Sequence, residues 1–98
     1  MTTLNLGNLA TFRLVVQRGS FSAAADVLGI SQPAVSLQIR QLEQFLQTRL
    51  IERTGRGIKA TAAGLALLSH GERIEQVVDE AIRSVSEFNR EVSGTITL

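Results

Sequence analysis

The last third of this 98-residue chain is predicted to form one uninterrupted helix. From about Ala62 to Val92 there is no proline, and only Gly64 and Gly71 interrupt a run of good helix formers, while Thr61 offers an N-terminal cap. At ~1.5 Å per residue this helix is about 45 Å long, which exceeds the ~30 Å width of a compact domain of this size. The helix must therefore extend beyond whatever the preceding residues fold into.

An apolar seam runs along this helix at alternating steps of four and three residues, the heptad spacing of helices that pack against another helix. The seam consists of Leu67, Gly71, Ile74, Val78, Ala81, Val85, Phe88 and Val92. We expect a second copy of the chain to cover it in a homodimer. The alternative is that the helix folds back onto its own chain, which its length disfavours. The acidic residues opposite the seam are expected to pair within the helix with Arg73 and Arg83; they are Glu72, Glu75, Asp79 and Glu80.

Two shorter helices are predicted at the start of the chain. The apolar face of the first is formed by Leu9, Phe12, Val15 and Val16. Asn8 is its predicted cap and Gly19 ends it. Ser20 and Ser22 can both cap the second helix, which Gly29 ends because glycine enters a left-handed turn without steric cost.

A third helix is predicted to begin after Ser31, its cap, with Pro33 in the first turn, where proline loses no helical hydrogen bond. Its buried stripe is formed by Val35, Ile39, Leu42 and Leu46. The opposite face carries one cation and no acid, and consists of Pro33, Ser36, Leu37, Arg40 and Gln44. Most of the side chains on this face are short or end in an amide.

The second and third helices have the spacing of a helix-turn-helix. Ala25 must be small where the third helix crosses it, Gly29 makes the turn, and Val35 locks the pair from inside. Such a crossing leaves the far side of the third helix open, so that its first turns can enter a major groove. An ordinary helical corner uses the same packing and is the alternative interpretation.

A small hairpin is predicted after the third helix, with strands over Leu50–Arg53 and Ile58–Ala60 and a glycine-flanked tight turn at 54–57. Four cations surround this hairpin with one acid, Glu52; they are Arg49, Arg53, Arg56 and Lys59. Arg56 at the tip can reach a narrow minor groove, and its neighbours can pair with phosphates. The alternative is a solvated arginine-rich turn. The predicted fold is thus mainly α, a winged helix-turn-helix of three helices and a two-stranded wing, followed by one long dimerisation or linker helix.

The formal net charge of +1 conceals a division along the chain. Up to Leu65, seven cations against three acids give +4, whereas the following residues carry three cations against six acids, which gives −3. A basic first part joined to an acidic helix indicates two functions in one chain. The cationic hairpin together with the polar far side of the third helix favours double-stranded DNA as the partner. We expect phosphate contacts from Ser22, Ser31, Arg40 and Arg53, and minor-groove contacts from Arg56 and Lys59.

The chain resembles the LysR-type transcriptional regulators of bacteria. The resemblance covers residues 9–64 through the motifs Leu9-x-x-Phe12, Gly19-Ser20-Phe21, Ala24-Ala25-x-x-Leu28, Ser31-Gln32-Pro33-Ala34-Val35-Ser36, Ile39-x-x-Leu42-Glu43 and Thr61-x-x-Gly64. The run from Ser31 to Ser36 is the most specific of these motifs.

The resemblance implies a sequence-specific DNA-binding regulator in which two subunits pair through their long helices on an inverted repeat. Its base-contacting positions correspond to Gln32, Pro33, Ser36 and Leu37. The resemblance also assigns Arg56 to the minor groove and Arg53 to a phosphate. Three parts are implied: a DNA-binding domain over 1–61, a linker helix over 62–92, and a hinge over 93–98 that opens a further domain.

That further domain is expected to bind a small co-inducer in the whole regulator, which is expected to assemble into a tetramer. It is absent from this chain, whose segment from Gly94 to Leu98 resembles its first strand, so we expect the natural chain to continue and predict no cofactor in the present residues.

Three residues depart from the family pattern. Leu37 stands where arginine is usual, so a long cationic contact is replaced by an apolar one that suits a thymine methyl group. Gln47 occupies a position where glycine is frequent, and Ile51 replaces a usual phenylalanine. The last two are expected to alter packing under the wing and leave the architecture unchanged.

Composition excludes several other classes of protein. Without cysteine there is no disulfide or thiolate site, and a single histidine, His70, cannot form an imidazole cage, so no metal site is expected. No apolar run reaches the ~18 residues that cross a bilayer, and the first residues lack the basic-then-apolar pattern of a signal peptide, so we expect a cytoplasmic protein without a membrane partner. Nothing builds a pocket for paired acids, so no catalysis is expected. The alternatives are a winged-helix protein-interaction module and a regulatory subunit of an enzyme complex.

Overall fold

The structure, a computed structural model, describes residues 3–94, with side chains described as far as residue 89. The elements in chain order are α1 (Leu6–Arg18), α2 (Phe21–Leu28), α3 (Gln32–Leu46), β1 (Ile51–Thr54), β2 (Gly57–Ala60) and α4 (Ala62–Gly94). The architecture is the predicted winged helix-turn-helix followed by a long helix. The predicted strand over 94–98 lies outside the described residues except for Gly94, which is the last residue of α4.

The caps of the first two helices differ in part from the predicted ones. Asn5 caps α1, because its Oδ1 accepts a hydrogen bond from the Asn8 backbone N–H at 2.9 Å. The prediction of Asn8 as the cap was wrong: Asn8 is buried inside the helix, where its amide donates to Oε1 of Gln41 on α3 at 3.3 Å. Ser20 caps α2 by accepting from the Ala23 N–H at 2.9 Å, whereas Ser22 is exposed in the first turn. In both helices the cap is the residue directly before the first turn. The cap of α1 was predicted too late because the helix begins at Leu6, ahead of its apolar face.

The three short helices enclose one core, which we call the core of the head, the head being residues 6–60. Its innermost side chains are Phe12, Val15, Ala24 and Val35, each with an exposed fraction of 0%. Gly29 makes the predicted left-handed turn between α2 and α3, with φ of 69°. Val35, Ile39 and Leu42 are buried as predicted, but Leu46 is 37% exposed, because it is the last residue of α3 and the chain turns away at Gln47.

The hairpin is antiparallel, with Glu52 opposite Lys59 and Thr54 opposite Gly57. Its tight turn consists of Gly55 and Arg56, so each strand is shifted or extended by one residue from the predicted bounds. Leu50 and Ile51 are 1% and 4% exposed, and they hold the base of the hairpin in the core of the head. The rest of β1 is exposed, so the hairpin projects from the head as a wing.

The first turns of α4 pack tightly against the head. Thr61 caps the helix by accepting a hydrogen bond from the Gly64 N–H at 3.0 Å. A Cβ atom at Gly64 would clash with the carbonyl oxygen of Leu50, so the helix can pass here only because the residue is glycine. Farther along, Gly71 is buried against Leu9, whose Cδ1 would lie 3.3 Å from a Cβ atom at that position.

The molecule measures 59 × 27 × 24 Å, so α4 extends well beyond the head as predicted. No helix within residues 3–94 is long and apolar enough to cross a membrane. In the same part of the chain there is no cluster of three or more histidine, aspartate or glutamate side chains suited to a metal ion.

Candidate functional site

One side of α3 is open to solvent, and we call it the outer face of α3. Its exposed members are Gln32, Pro33, Leu37, Arg40 and Gln44, and Ser36 beside them is half-buried. Leu37 is 47% exposed although it is apolar. All four residues predicted to contact bases therefore lie on this face, and the remainder of the described chain does not cover it.

Contacts on the opposite side of α3 determine which residues face outward. Val35, Ile39 and Leu42 are buried in the core of the head. Next to this stripe, the Thr11 hydroxyl on α1 donates to Oε1 of Gln38 at 2.5 Å, and Gln41 accepts from the Asn8 amide. Because hydrogen bonds are directional, these two contacts restrict rotation of α3 about its axis. The outer face is thus presented by a rigid element.

Three of the four cations of the wing have different surroundings. Arg56 lies at the exposed tip of the hairpin. The Arg53 guanidinium lies over the Phe21 ring, 5.1 Å from its centroid, a cation–π contact that ties β1 to the start of α2. Lys59 faces Glu52 with 3.6 Å between Nζ and Oε1. Glu52, the one acid among the cations of the hairpin, is thus the cross-strand partner of Lys59.

An open cleft of about 190 Å³ lies between α3 and the base of the wing. Its lining includes the three arginines Arg40, Arg49 and Arg53, together with Ser36 and Glu43. The sequence predicted phosphate contacts for Arg40 and Arg53 separately, and the structure brings them together. It adds Arg49, which the sequence placed among the cations of the hairpin without assigning it a contact of its own; its position two residues before β1 is the signal that could have found it.

The two serines predicted to contact phosphate lie at helix starts. Ser22 is exposed one residue after Phe21, which lines the same cleft. Ser31 is exposed before α3, and its Oγ accepts a hydrogen bond from the Ala34 N–H at 3.2 Å. This capping bond uses the oxygen as an acceptor and leaves the hydroxyl hydrogen to donate. Both positions are compatible with a phosphate oxygen as the acceptor.

The predicted seam of α4 is divided between two environments. Its first part packs against the head of its own chain, since Gly71 is buried against Leu9 and Leu67 contacts the core of the head. Ile74 and Val78 are half-buried, and beyond them the seam is exposed at Ala81, Val85 and Phe88. Val85 is 69% and Phe88 is 70% exposed, while the side chain of Val92 lies outside the described residues. Leu67 and Gly71 thus have intramolecular contacts that the prediction of a dimer seam did not include.

Two further features of α4 differ from the prediction or were missed. Glu75 pairs with Arg13 on α1, with 3.0 Å between Oε2 and Nη1, and this contact with the head replaces the expected pairing within α4. Val77 and Ile82 are 61% and 58% exposed, so the apolar surface is wider than the seam. Val77 follows Ile74 by three residues and Ile82 follows Val78 by four, a helical spacing that could have identified both from the sequence.

Residues 6–65 match the family described as bacterial regulatory helix-turn-helix protein, lysR family. The matched region contains all of α1, α2, α3 and the wing. The chain belongs to the lysR family. The match ends within the first turns of α4, next to Gly64, where the helix packs against the base of the wing.

Relatives in the lysR family share most of this chain. A regulator in the ibpB-leuC intergenic region of Azotobacter vinelandii is 44% identical over 95 residues, which cover 97% of this chain and 66% of that protein. A probable RuBisCO transcriptional regulator of Nostoc is 41% identical over 91 residues, 93% of this chain and 27% of that protein. The chain thus spans 66% of the first relative and about a quarter of the second.

Solved structures show the same fold. The BenM DBD in complex with catB site 1 DNA superposes with a TM-score of 0.83 at 34% identity, covering 87% of this chain and 94% of that one. The CbnR DBD–DNA complex gives a TM-score of 0.82 at 35% identity, covering 88% and 99%. Each match covers 87% or more of this chain, which is more than the residues before α4 can supply. Both similarities therefore extend past the wing and into α4.

Proposed function

We propose that this lysR-family chain is a sequence-specific DNA-binding transcriptional regulator that acts by binding and not by catalysis. The observation that carries the proposal is the arginine-lined cleft, which joins the outer face of α3 to the cationic wing on one open surface. The similar BenM and CbnR structures are both complexes with DNA, which supports the same partner for this chain.

Base readout is assigned to the outer face of α3 in the major groove. Gln32 offers an amide that can both donate and accept, Ser36 offers a hydroxyl, and Pro33 lies between them in the first turn. Leu37 has no polar group, so its contribution is an apolar contact with a thymine methyl group. These residues are responsible for the difference in affinity between the cognate site and random DNA.

Most of the affinity comes from the cations. Arg40, Arg49 and Arg53 line the cleft where a phosphate of the duplex would lie, and their contacts release counterions irrespective of sequence. Arg56 at the exposed tip of the wing is assigned to the adjacent minor groove, where the negative potential is concentrated. Lys59 is paired with Glu52, which partly neutralises its charge, so it contributes less to the affinity for DNA.

The exposed distal part of the seam is assigned to a homodimer. A second copy would cover Ala81, Val85 and Phe88 and would place two heads on an inverted repeat. In a whole protein of the relatives' length, we propose that a small-molecule co-inducer binds a further domain and that the regulator assembles into a tetramer.

The proposal is tested by comparing two variants on two DNAs. The probes are a duplex that the protein itself selects from a random library and a scrambled duplex of the same composition. Gln32→Ala should cost ~1 to 3 kcal/mol on the selected duplex and little on the scrambled one, whereas Arg53→Ala should weaken both alike. Fluorescence anisotropy at fixed salt measures all four values. Equal losses for both variants on both duplexes would contradict this division of roles.

A salt titration separates DNA binding from docking of a protein. Affinity for the selected duplex should fall steeply between low and moderate salt, and Arg53→Ala should reduce the slope of log Kd against log salt by about 1. A partner bound through apolar contacts would show almost no dependence on salt. A flat titration would therefore overturn the assignment of the arginine cleft to phosphate.

A further inference from the structure

We propose that Glu43 is a positioning residue that holds the wing at a fixed place relative to the outer face of α3. The proposal rests on the proposed DNA-binding function for its effect but on separate contacts for its evidence. Oε2 of Glu43 accepts hydrogen bonds from the backbone N–H groups of Leu50 at 2.8 Å and Ile51 at 3.3 Å. One carboxylate oxygen on α3 thus binds two successive amides at the start of the wing.

The same short segment is held from the other side by Thr61, the cap of α4. The Thr61 N–H donates to the Leu50 carbonyl at 3.0 Å, and the Thr61 hydroxyl donates to the Arg49 carbonyl at 2.7 Å. The Thr61 oxygen also accepts from the Gly64 N–H in the first turn of α4. Residues 49–51 therefore lie in a clamp, which we define as Glu43 on one side and Thr61 on the other.

A wing of this size needs such a clamp, because an isolated two-stranded hairpin is only marginally stable in water. Leu50 and Ile51 anchor its base in the core of the head, but apolar contacts are not directional and leave its orientation free. Hydrogen bonds to an ionised carboxylate are both directional and stronger than neutral ones. The clamp thereby sets where Arg56, at the far end of the hairpin, lies relative to α3.

The chemistry of Glu43 is otherwise unfavourable at this surface. An acid beside three arginines opposes the approach of a DNA phosphate and lowers the counterion release on which affinity depends. Its side chain is only 18% exposed, and the Arg49 Nε lies 3.7 Å from Oε2. An electrostatic account therefore predicts tighter DNA binding when the charge is removed, whereas the positioning account predicts weaker binding. The two accounts therefore predict changes in DNA affinity of opposite sign.

The test measures affinity for the self-selected duplex in a double-mutant cycle of Glu43→Ala and Arg56→Ala. We expect Arg56→Ala to weaken binding about tenfold in the original chain and less than about twofold in the Glu43→Ala background, because a misplaced wing no longer brings Arg56 to the minor groove. Glu43→Gln retains an oxygen acceptor and should restore most of the dependence on Arg56. If the losses of affinity from the two substitutions simply add in the double variant, the proposal is overturned.

Glu52→Gln is the matched control, since it removes an acid from the wing without touching the clamp. It should bind DNA as well as or better than the original chain, and Glu43→Ala should bind worse. If both substitutions tighten binding alike, Glu43 acts only through its charge and the positioning role is wrong.

A second measurement needs no DNA. In Glu43→Ala, amide hydrogen exchange at Leu50 and Ile51 should accelerate at least about tenfold while the core amides of α1 and α3 stay protected. Unchanged exchange at these two amides would overturn the clamp. If exchange is faster in Glu43→Ala but the original chain itself selects no duplex from the library, the clamp is supported and the proposed function is rejected, so the two failures are distinguishable.

Discussion

The head and the distal part of α4 have the same kind of apolar periodicity but opposite outcomes. In the head, the large side chains of Leu9, Phe12 and Leu42 are at most 1% exposed. In α4 every side chain described from residue 79 to residue 89 is exposed, including Phe88 at 70%. A periodic apolar face therefore specifies that a helix buries one side, and it does not specify which surface covers that side.

The boundary between the two regions follows from the path of α4. The helix touches the head at Gly64, at Gly71 and through the Glu75–Arg13 ion pair, and its side chains from residue 79 to residue 89 are then exposed. An isolated helix is marginal in water unless its apolar face is packed. The difference teaches that the head folds on its own contacts, whereas the distal helix depends on a second surface.

The largest expected effect separates the two regions with one kind of substitution. Phe12→Ala should lower the free energy of unfolding of the head by ~3 to 5 kcal/mol, because it leaves a cavity in the core. Phe88→Ala should change that quantity by less than about 0.5 kcal/mol and should instead weaken self-association. Urea titrations at a concentration where the chain is monomeric measure the first, and sedimentation equilibrium measures the second. A similar loss of stability in both variants would show that the head and the distal helix unfold as one unit.

A smaller effect is expected at the junction between the regions. Gly64→Ala should destabilise the chain by ~1 to 3 kcal/mol, since the new Cβ atom meets the Leu50 carbonyl oxygen and the backbone must shift. Gly55→Ala is the control, because no atom lies within 4 Å of a Cβ atom at Gly55 in the wing turn. Thermal melts of both variants decide the point. If Gly64→Ala melts like the control, the close passage of α4 over the base of the wing is not a constraint.

The smallest effect is a gain of stability within the head. Gln47 ends α3 with φ of 55°, a left-handed conformation that is strained for a residue with a Cβ atom. Gln47→Gly should raise the free energy of unfolding by about 0.5 kcal/mol, because relief of this strain exceeds the added entropy of the unfolded chain. Gln44→Gly, the same substitution on the exposed side of α3, should instead cost about 1 kcal/mol. If urea titrations show that both substitutions change the free energy of unfolding in the same direction, the left-handed φ of Gln47 does not explain the effect.

Gln47 also shows how far the sequence and its family resemblance reach together. The resemblance marks it as a position where glycine is frequent, and the left-handed φ supplies the reason. Gly19, Gly29 and Ser31 likewise have roles at helix ends that depend only on neighbouring residues. Local conformational preference is encoded within a few residues, so these features could be predicted from the sequence.

Much of the candidate site could be predicted for the same reason. The residues of the outer face of α3 are the complement of the buried stripe, and Arg56 follows from the tight turn that places it at the tip. The cleft could not be predicted, because Arg40 and Arg53 meet only when the wing folds against α3. The pairing of Lys59 with Glu52 depends likewise on the register of the hairpin.

The sequence by itself determined the helices, the turn between α2 and α3, the wing and the open side of α3, since each depends on periodicity and on local backbone preference. Only the tertiary structure decided that Asn8 contacts Gln41, that Glu75 pairs with Arg13 and that the seam divides between the head and solvent. These outcomes join residues far apart in the chain. Their partners are set by how the helices cross, a property of the packed core that no single segment contains.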